Sequence, residues 1–235
     1  MTEYNIFIVI PVYNEDIDIL RNTITKLLDS YSNYSIIVVD DGSEKNIRPH
    51  LKGFPVIFLR HKINLGQGAA LQTASSYILN KKDNVEHCIV VHFDADGQHD
   101  QSSIKTLVEP IIKGDADIVL GSRFLGNTTQ NTIPPLRLRL LKIARQVNNV
   151  LTGVHLSDAH NGLRAMNGQA IKKIKLTQNR FAHATEIITL IRKSGLKYIE
   201  VPVTIHYTDY SLHKGQRSTG AINILFELFI KKIIK

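Results

Sequence analysis

Five short apolar runs, each breaking off into polar, charged or glycine residues, constrain this chain more than any other feature. Residues 6–12, 36–39, 56–59, 88–93 and 118–120 read as strands. Helical patterns lie between them. Residues 16–30 put Ile17, Leu20, Ile24, Leu27 and Leu28 on one face, and residues 68–79 and 104–113 are also helical. Strands that are apolar at nearly every position must be covered on both faces. The β-α alternation therefore predicts a mainly parallel central sheet with helices on both sides, an α/β fold of Rossmann-like character.

The texture changes after residue 123. Residues 126–135 form a polar loop closed by Pro134-Pro135, and 136–151 read as a helix rich in Arg and Asn. Residues 158–164 read as an irregular polar loop, 181–194 as a helix, 198–206 as a strand and 221–235 as a last helix. With 235 residues, 43% of them hydrophobic and 21% charged, the chain suits one domain with a full core. No repeat or low-complexity linker divides it. The expected organisation is a domain over residues 1–217, in halves 1–123 and 124–217, followed by an amphipathic helix at 218–235.

The single cysteine, Cys88, falls in an apolar run and reads as a packed core thiol, so no disulfide framework exists. A strand begins within a few residues of Met1 with no signal peptide before it, and no apolar stretch reaches the about 18 residues of a membrane span. The expectation is a cytoplasmic protein, peripheral on the membrane face. The formal charge of +8 favours polyanions: anionic lipid, phosphorylated substrates or nucleic acid. Zinc-finger spacing and RRM, KH and helix-turn-helix patterns are absent, which ranks nucleic acid last.

In an open parallel sheet, ligands bind at the carboxyl ends of the strands. Here those ends carry Pro11-Val12-Tyr13-Asn14-Glu15, Asp40-Asp41-Gly42-Ser43, Asn64-Leu65-Gly66-Gln67-Gly68, Asp94-Ala95-Asp96-Gly97-Gln98 and Gly121-Ser122-Arg123. Asp94, Asp96 and Gln98 alternate, so in extended chain they share a face, successive residues about 6.6 Å apart. Two carboxylates on one face repel unless a cation lies between them, and hard oxygen ligands suit Mg²⁺ or Mn²⁺. The plain alternative is a polar loop that caps the strand. A dinucleotide site competes, through Gly66-x-Gly68 and Asp40. Its glycine pattern lacks a third member and follows the wrong strand, which favours a single nucleotide bound with a metal.

IPVYNE, VVDDGS, NLGQGAAL, DADGQH and GSRF, in this order, resemble the family-two glycosyltransferases of the GT-A fold. The branch they are most similar to is that of dolichol-phosphate mannosyltransferase-like and polyprenyl-phosphate sugar synthases, and DAHNGLRAMN and VPVTIHYTDYSLHKGQRS extend the likeness over nearly the whole chain. The resemblance implies inverting, metal-dependent transfer from a UDP- or GDP-sugar to a polyprenyl phosphate. An acceptor that is a saccharide or lipid-linked saccharide in surface-polysaccharide assembly stays open, as does a catalytically silent, membrane-recruited binding module. Residue by residue, it implies that Pro11, Tyr13, Glu15, Asp40, Asp41, Gly68, Asp94, Ala95 and Asp96 bind the nucleotide sugar. Asp94, Asp96 and Gln98 would hold Mg²⁺ or Mn²⁺, which neutralises the charge of the departing diphosphate.

In the second half the resemblance places Arg123, Arg137 and Arg164 at the acceptor phosphate, in keeping with guanidinium geometry. Arg139 and Arg145 are either further phosphate contacts or solvated helix charges. Asp158, with Asp96 the second catalytic candidate, opens the stretch that ends at Arg164, where Leu163 replaces the family's usual aromatic residue. Asp158 is either a general base or a turn-capping carboxylate. A phosphate acceptor, with its second pKa about 6, would need no strong base. Glu186 orients the sugar or is solvated. The resemblance implies that the basic, aromatic segment from His206 through Tyr207, Tyr210 and Lys214 to Arg217 lies near the site. In the tail, Ile222, Leu225, Phe226, Phe229, Ile230, Ile233 and Ile234 face away from Lys231, Lys232 and Lys235. That pattern suits either an interfacial helix on anionic lipid or a contact with the domain, another subunit or a membrane-protein partner.

Overall fold

β1 (Asn5–Val12) runs through the middle of the sheet. Ile6, Ile8, Ile10 and Val12 pack on one side of it and Phe7 and Val9 on the other. The computed structural model describes residues 4–126, 135–159, 161–179 and 182–206. The remaining strands are β2 (Ser35–Asp40), β3 (Val56–Arg60), β4 (Cys88–His92), β5 (Ile118–Ser122), β6 (Arg164–Asn167) and β7 (Tyr198–Pro202). They form one seven-stranded sheet in the order β3-β2-β1-β4-β6-β5-β7.

β1 pairs in parallel with β2 and β4, β2 with β3, and β5 with β7. β6 alone runs antiparallel, between β4 and β5. The carboxyl ends of the other six strands therefore share one rim. β6 enters the sheet at that rim, so the loop before it is delivered there.

Helices cover both faces. α1 (Ile17–Ser30) and α3 (Ser103–Ile112) pack on one side through Leu20, Ile24, Leu27, Ile104, Leu107 and Ile111. Asp16 caps α1, accepting from the N–H groups of Asp18 and Ile19 at 2.9 and 3.1 Å. α2 (Gln67–Lys81), α5 (Gly168–Lys173) and α6 (His183–Ser194) cover the other side with Ala70, Leu71, Ile78, Ile171, Ile187 and Ile191. Each fully buried Leu or Ile contributes roughly 1.5–3 kcal/mol. α4 (Pro135–Thr152) packs beside α6, and Arg192 donates to the Thr152 carbonyl at its last turn, 2.8 Å away.

The parallel strands and the helices on both faces match the expectation. The reading of residues 158–164 as loop alone was short at its end, because Arg164 already opens β6. The final strand stops at Pro202, with one further bridge between His99 and Ile205. The expected helices at 218–235 and 221–235, together with Tyr207, Tyr210 and Lys214 to Arg217, lie outside the described residues.

Candidate active site

The ends of β1 and β2 are tied to each other. Asp41 N–H donates to the Val12 carbonyl at 2.8 Å. Asn14 N–H donates to Ser43 Oγ and Glu44 N–H to Asn14 Oδ1, both at 2.9 Å. Asn14 adopts φ of 48°, a left-handed conformation that asparagine tolerates better than most side chains. This turn sets Pro11, half-exposed Tyr13 and Glu15 along the rim.

Asp40 and Asp41 are both buried. Asp40 Oδ1 accepts from Ser43 N–H at 2.9 Å, and its Oδ2 lies 3.2 Å from Arg60 Nε. Asp41 takes His61 Nδ1 at 2.7 Å and the N–H groups of Leu65 and Gly66 at 3.0 and 2.7 Å. It thereby folds the 61–66 loop into the start of α2. Gly68 lies where a Cβ would come within 2.2 Å of the Gln178 carbonyl oxygen. The structure thus sets Gly68 at a close contact between α2 and the 178–179 segment.

Asp94 and Asp96 follow β4. Asp94 Oδ1 accepts from Gln67 Nε2 at 2.8 Å and Oδ2 from His99 Nε2 at 3.0 Å, and its side chain keeps 31% of its surface open. Gly162 backs onto this carboxylate so closely that a Cβ there would sit 2.4 Å from Oδ2. Burial by itself would raise the Asp94 carboxyl. The hydrogen bond and charge of His99, with the charges of Arg164 and His183, outweigh burial and hold it at about 2. Asp96 moves the other way. Burial lifts it, the Asp94 charge lifts it further, and His99 and the Gln98 N–H, 3.1 Å from Oδ1, only partly oppose this. Neighbouring carboxylates whose environments drive them apart in this way divide into one that stays ionised and one that protonates more readily. Ala95 is buried between them, and Gln98 is half-buried with its carbonyl accepting from His206 N–H at 2.8 Å. Among the described residues no three Asp, Glu, His or Cys groups converge as a ready-made metal cage.

Arg123 and Asp158 meet each other. Arg123 donates Nε to Asp158 Oδ2 at 2.7 Å, Nη2 to Oδ1 at 2.8 Å and its backbone N–H to Oδ2 at 3.1 Å. Glu200 of β7 supports the loop below, accepting from the N–H groups of Ser157 and Asp158 at 2.8 and 3.1 Å. Arg164 is buried in β6 and donates to the carbonyls of Asn161 and Gly162 at 2.9 and 3.3 Å. Burial lowers this guanidinium to about 10, against the support of Asp94 and Asp158, so it stays charged at neutral pH. His92, buried beside it, is pushed well below the usual range by burial and by the Arg164 and His183 charges, and it is neutral. Arg137 lies in the first turn of α4, and its side chain is outside the described residues. Glu186 neither points a free carboxylate at the rim nor stands alone in solvent. It accepts from the N–H groups of Thr177 and Gln178, at 3.0 and 2.9 Å.

His99, Gly162 and Glu200 are rim or support residues that sequence reasoning gave no role, and Gln67 was placed on the rim without its contact to Asp94. DADGQH held His99 in plain view. The partners of Gln67, Gly162 and Glu200 lie far along the chain, and no local pattern marks them.

A family model described as Glycosyl transferase family 2 matches residues 7–175. An uncharacterized protein of Methanocaldococcus jannaschii is 34% identical over 235 residues, covering 97% of this chain and 92% of its own. The UDP-N-acetylglucosamine–dolichyl-phosphate N-acetylglucosaminyltransferase of Methanococcus voltae is 29% identical, covering 100% of this chain and 99% of its own. The polyprenol monophosphomannose synthase of Mycolicibacterium smegmatis is 26% identical over 88% of this chain and 79% of its own. Among solved structures, glucosyl-3-phosphoglycerate synthase of Mycobacterium tuberculosis, in complex with Mn²⁺ and UDP, superposes with a TM-score of 0.63. It is 17% identical and covers 90% of this chain and 74% of that one, a likeness of fold.

Proposed function

From the membership of this chain in glycosyl transferase family 2, we propose that it transfers a sugar, with inversion, from a UDP- or GDP-sugar to a polyprenyl phosphate in the presence of Mg²⁺ or Mn²⁺. Relatives named for transfer to dolichyl, polyprenol and undecaprenyl phosphates support the acceptor class. The observation that carries the reading is the meeting of Asp94 with Gly162 on the rim that also holds the ends of β1, β2 and β5.

The residues fit a divalent cation. The donors are hard oxygens from Asp94, Asp96 and Gln98, and burial and the Asp94 charge disfavour the ionised Asp96 carboxyl, a cost that a cation between the two would relieve. Mg²⁺ is commonly bound by one or two carboxylates plus substrate phosphates, so a rim without a third acid suits it. When bound, such an ion neutralises the negative charge that builds on the departing diphosphate. Asp94, fixed by Gln67 and His99, stays ionised and keeps its orientation, and Asp96 offers the second carboxylate. Pro11, Tyr13 and Glu15 border the nucleotide side, and Asp40 and Asp41 shape the loops that would enclose the base.

The acceptor half is residues 124–217, and its phosphate approaches from the side of Arg123 and Arg137. Asp158 is the charge partner of Arg123 and fixes its fork. A phosphate acceptor is already largely ionised at neutral pH, so Asp158 need not remove a proton. Arg164 holds the Asn161–Gly162 backbone against Asp94, which makes it a positioning residue. Among the described residues no helix is long and apolar enough to cross a membrane, and attachment at a membrane surface would bring the site to a lipid acceptor.

Titration calorimetry with UDP and GDP, in Mn²⁺ and in chelator, tests the donor half of this reading. Binding of one nucleotide should depend on Mn²⁺ and be lost in Asp96→Ala. Metal-independent binding that survives Asp96→Ala would contradict it.

A further inference from the structure

A cavity of about 230 Å³ lies on the α1 side of the sheet, next to the turn that carries Asp96 and Gln98. α1 contributes Asn22, Thr23 and Lys26 to its lining, and the chain beyond β4 contributes His99, Asp100 and Gln101. None of the residues assigned to the nucleotide, the metal or the acceptor phosphate lines it. Pockets for drug-sized ligands begin at about 300 Å³, so this cavity suits a small metabolite and not a nucleotide.

Two groups around it are left unused by the fold. Lys26 is exposed and forms no ion pair among the described residues. The His99 side chain is 4% exposed, and its Nε2 meets Asp94 Oδ2 at 3.0 Å. An ionised carboxylate only accepts, so Nε2 carries the hydrogen, and Nδ1 of the neutral ring is an acceptor. That Nδ1 has no partner among the described residues. A buried acceptor left unmatched is costly, and a donor from water or a ligand belongs there. Asp100, by contrast, is already satisfied. It accepts from Ser102 N–H and Oγ at 2.8 and 2.6 Å and lies 3.2 Å from His206 Nε2. The cavity therefore offers one spare cation and one unmatched acceptor.

We propose that this cavity is a second ligand site for a small hydroxylated anion of the sugar-phosphate class, with its phosphate on Lys26 and a hydroxyl donating to His99 Nδ1. A bare anion would leave Nδ1 unmatched, and a neutral sugar would leave Lys26 unused. The ring that meets the ligand also holds Asp94, so an occupant steadies that carboxylate from behind. This consequence rests on the proposed function; the site itself does not.

Calorimetry of the full chain with glucose 6-phosphate, without metal or nucleotide, reads the site. Binding should show one site with a Kd of about 0.1 mM and weaken about tenfold in Lys26→Gln, where an exposed side chain changes and the core does not. Glucose and inorganic phosphate should each bind at least about tenfold more weakly than the sugar phosphate. Three results would each overturn the proposal: no binding up to about 10 mM, unchanged binding in Lys26→Gln, or inorganic phosphate binding as tightly as glucose 6-phosphate. In a second titration, saturating glucose 6-phosphate should raise the Mn²⁺-dependent affinity for UDP or GDP about threefold in the wild type and not in Lys26→Gln. An unchanged nucleotide affinity in wild type that binds the sugar phosphate would overturn the link through His99. Sugar-phosphate binding without any Mn²⁺-dependent nucleotide binding would contradict the proposed function alone.

Discussion

Asp158→Asn separates a charge partner from a catalytic base. The Arg123 and Asp158 side chains are 8% and 2% exposed, and three hydrogen bonds run from Arg123 to the carboxylate. Asparagine keeps the shape but leaves a buried guanidinium without its counter-charge. Removing one member of a buried pair costs about 3–5 kcal/mol. For a chain of 235 residues, where each kcal/mol shifts the midpoint by about 2–4 °C, thermal unfolding should occur roughly 6–20 °C lower. Urea unfolding of the wild type, Asp158→Asn, Arg123→Gln and the double variant should give a coupling energy of about 2–3 kcal/mol, because the second substitution removes a charge already stranded. Transfer to a polyprenyl phosphate should fall together with a raised acceptor KM, through the displaced Arg123. An Asp158→Asn protein within about 0.5 kcal/mol of wild type that has lost nearly all turnover would refute this account and make Asp158 the base.

Gly162→Ala should displace the Asp94 carboxylate, since the new Cβ would lie 2.4 Å from Oδ2; Mn²⁺-dependent nucleotide binding, followed by calorimetry, should fall well beyond tenfold (about 1.4 kcal/mol). Asp96→Asn should abolish transfer and yet stabilise the metal-free protein at neutral pH. An acid whose folded pKa is raised loses stability as pH climbs through that window, so removing its charge restores it; denaturant melts at several pH values measure this. Asp94 has the opposite sign: its carboxyl falls from 3.8 to about 2, so it supports the fold above pH 4 and this support fades as pH drops toward 2. In an Asp96→Asn background, Asp94→Asn should remove about 2 kcal/mol of that pH dependence. Cys88 is buried and its thiol is raised by burial, so it should resist aromatic disulfide reagents in the native state and react only on unfolding.

The first half was legible because β1, β2, β4 and β5 are buried on both faces and each ends in rim residues, which periodicity and charge both mark. β6 was not. Arg164-Ala165-Met166-Asn167 is four residues with a cation at one end and an amide at the other, and it becomes a strand only because β4 and β5 supply both hydrogen-bonding edges. The carboxylates of the site were visible as residues, but their partners were not. Asp94 meets Gln67 and Gly162, and Asp158 meets Arg123, across long stretches of chain. Glu186 looked like a free acid until the turn at Thr177 and Gln178 was seen to fold onto it. Contacts of this kind are set by where β6 and the 158–163 loop enter the rim, and no local pattern encodes them.

The central claim is tested most directly by incubating the full chain with radiolabelled UDP- and GDP-sugars and a polyprenyl phosphate, with Mn²⁺ or with chelator, and following label into the lipid phase. The account predicts a sugar-phosphate-polyprenol of inverted anomeric configuration from one donor, formed only with the metal and absent in Asp96→Ala. Label that enters the lipid phase equally well in chelator, or a product with retained configuration, would contradict it.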